Sequence, residues 1–470
     1  MNIFYSLILF IFCCLDASSQ SNPYLQGNQC VTDISVTNRT ASIFTVDGKV
    51  YTWGNNQFGQ IGNGNAQTTT SVPYIRPSIP NFGAISHGFI SSTGLTKEGK
   101  IYTWGTNTTG VLGDGTTTDN FNPTQVGTDT DWVKVVNTWV NNIALKSNGT
   151  LWGWGNVGNC ALTNVPPPPD PNDPFSYYYA QPIQISPNTD WVNIGAGAGK
   201  TFAIKSNGTL WAMGRNNYYF LGIPNSYHGQ CVSTLTQVGT DTDWKKVVPS
   251  NMGKYTLALK TNNTLWYWGT YNENFFTPVQ TPVQIETDTW IDVAAGETSA
   301  VGIKNDGTLW QWGAGCWNHN VSVVIPANSA VPTQLGTDSN WIKVAAGYCI
   351  SFAVRADNTV WVFGASTIDF FNGTPSSPAT PVLIFQCANA SIKENELSNI
   401  VLYPNPTVDK IFWAQNIMIE KATVFDMNGK QILSQKVSDF SLDVSHLSSG
   451  TYLIKLESGE GFYNSKFIKK

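Results

Sequence analysis

The sequence is short of the residues from which active sites are usually built. Only four histidines occur in 470 residues, and His87, His228, His319 and His446 fall at unrelated positions. Charge is scarce, at 12% of the chain with a net of −5, and no run of Lys and Arg is present to track a phosphate backbone. Nucleic acid is therefore not an expected partner. There is no HExxH, no Ser on a nucleophile elbow, no phosphate-cradling glycine loop after a strand and no CxxC pair. Neither a catalytic residue, a metal nor a cofactor is expected from such a chain. Long amphipathic helical patterns are missing too, which leaves short strands and turns.

Aromatic residues and glycine are abundant instead, with Trp 18, Tyr 18, Phe 23 and Gly 42. Aromatics suit pleated surfaces and glycine suits tight turns, so this composition predicts an all-β chain. The opening "MNIFYSLILFIFCCLDASSQ" is apolar from Ile3 to Leu15 and then small, which reads as a signal peptide over 1–19 despite the lack of a basic residue. It is too short for a membrane anchor, which needs roughly 18 or more apolar residues. Phe12, where a small residue would be wanted before Cys13, argues against a lipoprotein. After cleavage Cys30, Cys160, Cys231, Cys316, Cys349 and Cys387 remain, and in an oxidising compartment their pairing stays open among 15 possibilities.

The heptamer "KSNGTLW" occurs at Lys146–Trp152 and again at Lys205–Trp211. Seven related copies start at Phe44, Leu95, Leu145, Ile204, Leu259, Ile303 and Val354, and most end in "WG". A period near 50 residues marks an array or a propeller. The second residue of each turn is Gly or Asn, the types that tolerate positive φ, so each copy is a two-residue hairpin. A weaker repeat precedes five copies, as in "PTQVGTDTDWVKV" from Pro123, and adds a strand, an Asp-rich turn and another strand. Four strands per unit predict a seven-bladed β-propeller over 30–387. A solenoid would call for polar capping repeats. The first copy lacks a "PxQ" strand ahead of it and the last carries a spare one, "TPVLIF" from Thr380, so the two ends are expected to meet in a ring. Closure would bring Cys30 near Cys387, and a disulfide between them would clasp it. In the Asp-rich turns, Asp129, Asp131, Asp241 and Asp243 lack the Gly and distal Glu of a calcium loop, and turn chemistry is the better reading.

The pattern of an aliphatic residue, "K.NGT.W.WG" and, in the first copy, "NNQFGQIGNG" resembles the regulator of chromosome condensation (alpha-tubulin suppressor-like) repeat. That resemblance covers about Cys30 to Cys387 and implies a seven-bladed propeller. The family includes a nuclear exchange factor for a small GTPase, many secreted bacterial members and a secreted inhibitor of β-lactamases. Copies three to seven depart from it after "WG". Beyond a linker at 388–395, residues 396–470 read as a small β-sandwich, and "YPNP" (Tyr403–Pro406), "VFDMNGK", "LSSGTYLIKL" and "KFIKK" resemble the C-terminal sorting domain of the type IX secretion system of Bacteroidetes (Por secretion). This resemblance implies passage through periplasm and outer membrane, the type IX machinery as a partner, and release or attachment to surface lipopolysaccharide.

Variation between copies concentrates in the loop after "WG", where specificity can be written without disturbing the core. Several of these loops are aromatic: Tyr177, Tyr178 and Tyr179; Tyr218, Tyr219 and Phe220; Phe275 and Phe276; and Trp317. Exposed together they would stack on sugar rings or anchor a protein; the alternative is that they plug the propeller. The expected function is a secreted or cell-surface, non-enzymatic binding propeller with a protein or polysaccharide ligand. The rival expectations are a lyase or hydrolase using the channel and a protein inhibitor of an exported enzyme.

Overall fold

The computed structural model describes residues 31–470 except 38, 77–79, 159, 163–177, 198, 252–253, 271–277, 314–328, 349, 365–380, 386–399, 414–417, 427–429, 438 and 459–460. Two units divide the chain, 1–387 and 388–470. In the first unit, consecutive antiparallel strands form five four-stranded sheets and one seven-stranded sheet. The longer sheet is two meanders sharing Val279–Ala295, whose first half pairs backward with Thr264–Thr270 and whose second half pairs forward with Ser299–Lys304. Counted so, seven meanders follow one another, here numbered 1 to 7, over 31–76, 82–125, 132–184, 191–237, 244–285, 290–334 and 341–385. Their strands are a to d in chain order.

The fusion of meanders 5 and 6 has a sequence cause. Their linker "IETDTW" is one residue shorter than "VGTDTDW", and Glu286, at φ 52, stands where Gly127, Gly239 and Gly336 carry positive φ elsewhere. A Cβ at those three glycines would meet nothing within 4 Å, so a side chain costs only backbone strain there.

Meanders 1 and 7 share one hydrophobic core, in which Ile34 and Ile43 pack with Ile350, Phe352 and Val362. Tyr51 meets Phe385 and Trp53 meets Phe352 edge-on, with centroids 5.9 and 6.1 Å apart, and Lys343 Nζ lies 2.5 Å from Asp33. The ring therefore closes by side-chain packing, with each terminal meander complete in itself, and not by a sheet built jointly from both ends. Cys30 and Cys387 lie outside the described residues, as do residues 1–29. The described disulfide joins Cys160 to Cys231, a pairing the sequence left open.

Each "NGTLW" hairpin is wired the same way. Asn148 Oδ1 accepts the Thr150 N–H and hydroxyl at 3.1 and 2.7 Å, and the Trp152 indole N–H donates to Thr150 Oγ1 at 2.9 Å. The same chain recurs at 207/209/211, 262/264/266, 306/308/310 and 357/359/361. Beside it, Lys146 Nζ sits 4.7 and 4.9 Å from the Trp132 and Trp152 rings and pairs with Asp129 and Asp131 at 2.7 and 3.1 Å. Lys205, Lys260, Lys304 and Arg355 occupy equivalent cages of two indoles and one or two acids. Meanders 1 and 2 have Thr45 and Thr96 in place of the cation, and Tyr51 and Tyr102 in place of the second Trp. Cation, indoles and acids thus come and go together, which marks them as one packing unit. The Asp-rich turns serve these cations as well as the turns. Lys260→Arg is expected to leave stability within about 0.5 kcal/mol, since Arg355 already fills such a cage. Lys260→Ala, which empties it, is expected to cost about 1–3 kcal/mol by urea denaturation.

The second unit packs the pair Lys410–Phe412 and Ser441–Asp443 against a four-stranded sheet around Ile411, Trp413, Val424, Ile454 and Phe467. Its "YPNPT" segment holds the terminal strand, Gly461–Lys469: Asn405 Nδ2 donates to the Lys466 carbonyl and its Oδ1 accepts the Ile468 N–H, both at 2.9 Å.

Candidate functional site

The loops after "WG" join strands c and d, and they lie on the same face as the a–b turns. In meanders 1 to 4 the residue after "WG", or after "MG" in meander 4, donates its N–H to an a–b turn carbonyl of its own meander: Asn55 to Arg39, Thr106 to Ile90, Asn156 to Val140 and Arg215 to Gly199, at 2.8 to 3.0 Å. The hairpins and Asp turns meet on the opposite face, as in the bond from Ser147 N to the Asp131 carbonyl. Variable loops and repeated cages are thereby kept apart.

Among the described residues, three Trp of "WG" fix the loop of the meander before theirs. Trp104 Nε1 donates to the Gln60 carbonyl, Trp154 Nε1 to Val111 and Trp268 Nε1 to Phe220, at 2.7, 2.9 and 2.7 Å. Gly62, Gly113 and Gly222 lie against these indoles so closely that a Cβ would stand 2.6 to 2.8 Å from ring atoms. Within the loop a buried Asn ties both ends: the Oδ1 of Asn56, Asn107 and Asn216 accepts the N–H of Ile61, Leu112 and Leu221, while its Nδ2 reaches further along. Meander 3 has Val157 at this position and carries Cys160 in its loop, bonded to Cys231 at the end of the meander 4 loop. A covalent tie stands where the amide is missing.

The meander 4 loop is the most aromatic of those described. Tyr218 and Tyr219 are half-buried, both with positive φ (54 and 60), and their rings lie 4.9 and 6.4 Å from His228. Tyr227 is 66% exposed. Phe220, by contrast, is buried in the core between meanders 4 and 5, because its carbonyl must accept both Trp268 Nε1 and Thr256 Oγ1. Tyr178 and Tyr179 are half-buried in strand d of meander 3, where Tyr179 packs on the core. Tyr177, Phe275, Phe276 and Trp317 lie outside the described residues. The a–b turns add aromatics that composition alone did not single out: Trp139, 39% exposed, and Phe89, 5.5 Å apart and edge-on.

Charge at this face is held by rings. Lys254 Nζ lies 4.3 Å from the Tyr218 centroid, and the Arg39 guanidinium 4.7 Å from that of Tyr348. Burial pushes the Glu297 carboxyl up, against the opposing charges of Arg39 and Lys254. Lys200, fully buried beneath the Phe220 ring, donates to the Tyr255 carbonyl at 3.3 Å, and burial lowers its ammonium to about 7. His87 is buried between the hydroxyls of Ser42 and Ser92, each 2.8 Å away, and burial with the Arg76 charge lowers it to about 3. Neutral in the fold but titrating near 6.5 when unfolded, His87 contributes stability above that pH which is lost as pH falls toward 3. Removing it by His87→Asn is expected to flatten the acid side of the stability profile by about 1.4 kcal/mol per pH unit between pH 6 and 4, read by urea denaturation. No group of three or more His, Cys, Asp or Glu able to hold a metal occurs among the described residues.

Comparison with known proteins follows the division of the chain. The secretion system C-terminal sorting domain model matches residues 401–470, and the regulator of chromosome condensation (RCC1) repeat models match 31–60, 47–85 and 98–137. The chain thus carries RCC1 repeats and a sorting domain that marks proteins exported through the type IX system to the cell surface or medium. It is 28% identical over 232 residues to the ultraviolet-B receptor UVR8 of Arabidopsis thaliana, covering 48% of this chain and 50% of the receptor. It is 27% identical over 245 residues to the E3 ubiquitin-protein ligase HERC2 of Homo sapiens, covering 49% of this chain and 5% of the ligase. It therefore spans half or less of these curated relatives. Among solved structures, human WBSCR16 superposes with a TM-score of 0.60 at 15% identity, covering 72% of this chain and 94% of that one. Prp20p of Saccharomyces cerevisiae, described with its binding to Gsp1p and histones, gives 0.60 at 19%, covering 69% and 82%. These likenesses show the propeller fold.

Proposed function

We propose that this exported propeller is a non-enzymatic binding protein whose ligand sits on the face of the a–b turns and c–d loops. The observation that carries this reading is the 216–230 loop. It presents Tyr218, Tyr219, Tyr227 and His228 while Asn216, Trp268 and the Cys160–Cys231 bond hold its frame. Rigid aromatics that keep a surface in the unbound protein give up little entropy on binding. Lys246 with Asp292 and Lys343 with Asp33 pair between neighbouring first strands, which suits carboxylates used for ring cohesion better than acid–base work. The test is affinity capture by the full chain from purified surface polysaccharides and from the secreted protein fraction, beside the Tyr218→Ala/Tyr219→Ala variant. A ligand retained by the parent and reduced at least tenfold by the variant is the expected result. Equal retention by both proteins would remove this face from consideration.

A further inference from the structure

The four-stranded sheet of the second unit runs Gln431–Lys436, Lys421–Phe425, Gly450–Ser458 and Gly461–Lys469 from edge to edge. One face builds the core with Val424, Leu433, Ile454, Leu456 and Phe467, so the residues alternating with them point away from it. On that outer face Phe425 pairs with Leu453 and Leu453 with Lys466, while Ile432 and Ile468 stand beside them on the two edge strands. Ile432, Leu453 and Ile468 are 41–42% exposed and Phe425 is half-buried. An apolar band about 14 Å long, three strand spacings, thus crosses the sheet open to solvent. Contiguous exposed apolar surface marks an interaction site where scattered apolar residues do not.

The charge around the band is one-sided. The four strands carry a single acid, Glu457, and Lys421, Lys436, Lys455 and Lys466 share its face. Glu457 is taken by Lys421 and Lys455, at 3.6 and 3.7 Å. Lys436 and Lys466 are exposed and make no ion pair among the described residues. Of the two sheet edges, Gly461–Lys469 is held by the chain's own "YPNPT" segment, and Gln431–Lys436 is exposed along most of its length.

We propose that a protein of the type IX machinery grips the chain on this face, with an apolar ridge laid along Ile432, Phe425, Leu453 and Ile468 and carboxylates beside it that answer Lys436 and Lys466. An apolar centre within a charged rim is the anatomy of a protein interface, and the rim charges set partner and register. The sorting-domain match over 401–470 covers the whole sheet, which favours a protein partner over the phosphates and acyl chains of lipopolysaccharide. The proposal concerns export of the chain and stands apart from what the propeller binds.

The experiment follows the full chain in a Bacteroidetes host with a working type IX system, by immunoblot of periplasm, cell surface and medium. Leu453→Thr with Ile468→Thr removes the centre of the band while keeping residues that suit strands, and Lys436→Glu with Lys466→Glu inverts the rim. Each pair is expected to lower the exported fraction at least tenfold, with the chain accumulating in the periplasm. Val408→Thr, 58% exposed beside the strand pair that covers the other side of the sheet, is expected to be exported like the parent. Melting temperatures of the purified chains should be unchanged throughout, since exposed substitutions rarely alter stability. Export of either pair at the parental level would overturn the proposal, as would equal loss in Val408→Thr. A lowered melting temperature in the Leu453→Thr/Ile468→Thr chain would show that the band packs within the protein and would overturn it too. Parental export combined with lost binding to lipopolysaccharide vesicles would assign the face to lipid instead.

Discussion

Replacing Trp268 with alanine is expected to destabilise the propeller by about 3–5 kcal/mol, the cost of truncating a fully buried large aromatic. The effect should reach beyond the core. Trp268 packs on Phe202 and Trp244 at 5.9 and 6.1 Å and also holds the Phe220 carbonyl through its indole N–H. Gly222, pressed against the same ring, loses its wall. Hydrogen exchange should therefore speed up in 216–230 more than in the hairpin face of the same meander. Trp268→Phe separates the two contributions: it keeps much of the apolar area but cannot donate, so the loop should loosen while most of the stability survives. Urea denaturation and exchange mass spectrometry on the two variants read both quantities.

The second large effect concerns Cys160 and Cys231, which are 71 residues apart in sequence and join the loops of two meanders. Closing so long a segment limits the unfolded chain strongly, and removal of such a bond typically costs about 2–5 kcal/mol. Cys160→Ser with Cys231→Ser is expected to fall in that range. Because Val157 cannot replace the amide that Asn56, Asn107 and Asn216 supply elsewhere, the meander 3 loop should become the first segment to open. Restoring the amide with Val157→Asn in the disulfide-free chain is expected to recover about 1 kcal/mol and to slow exchange at 157–162. Thermal denaturation of the three variants under non-reducing conditions measures this directly.

Much of the propeller was legible because its hairpins repeat local chemistry. The Asn-Gly centre, the Thr two positions after the Asn and the Trp two further on all bond within five residues, so each copy reports its own structure. The cages around Lys146, Lys205, Lys260, Lys304 and Arg355 were not foreseen, since their acids lie 15 to 19 residues upstream and served equally well as turn formers. Their signal was present nonetheless: every copy with Lys or Arg before the hairpin has the Asp-rich turn and both Trp, and the two copies with Thr have neither. On the loop face, composition pointed to Tyr218 and Tyr219 but could not separate them from Phe220. The carbonyl of Phe220 is claimed by the next meander, and that depends on long-range packing. Asn251 and Glu297 stand in turns whose sequences differ from copy to copy, and only the ring brings those turns together.

In the proposed function the ligand sits on the loop face, and the hairpin face serves the cohesion of the ring. Both faces carry partly exposed aromatics, Tyr218, Tyr219 and Tyr227 on one and Trp211, Trp266 and Trp310 on the other. Hydroxyl-radical footprinting of the full chain with and without captured ligand compares them in one measurement. Oxidation at Tyr218, Tyr219 and Tyr227 should fall on binding while Trp211, Trp266 and Trp310 stay unchanged; protection of those tryptophans with the tyrosines unaffected would contradict it.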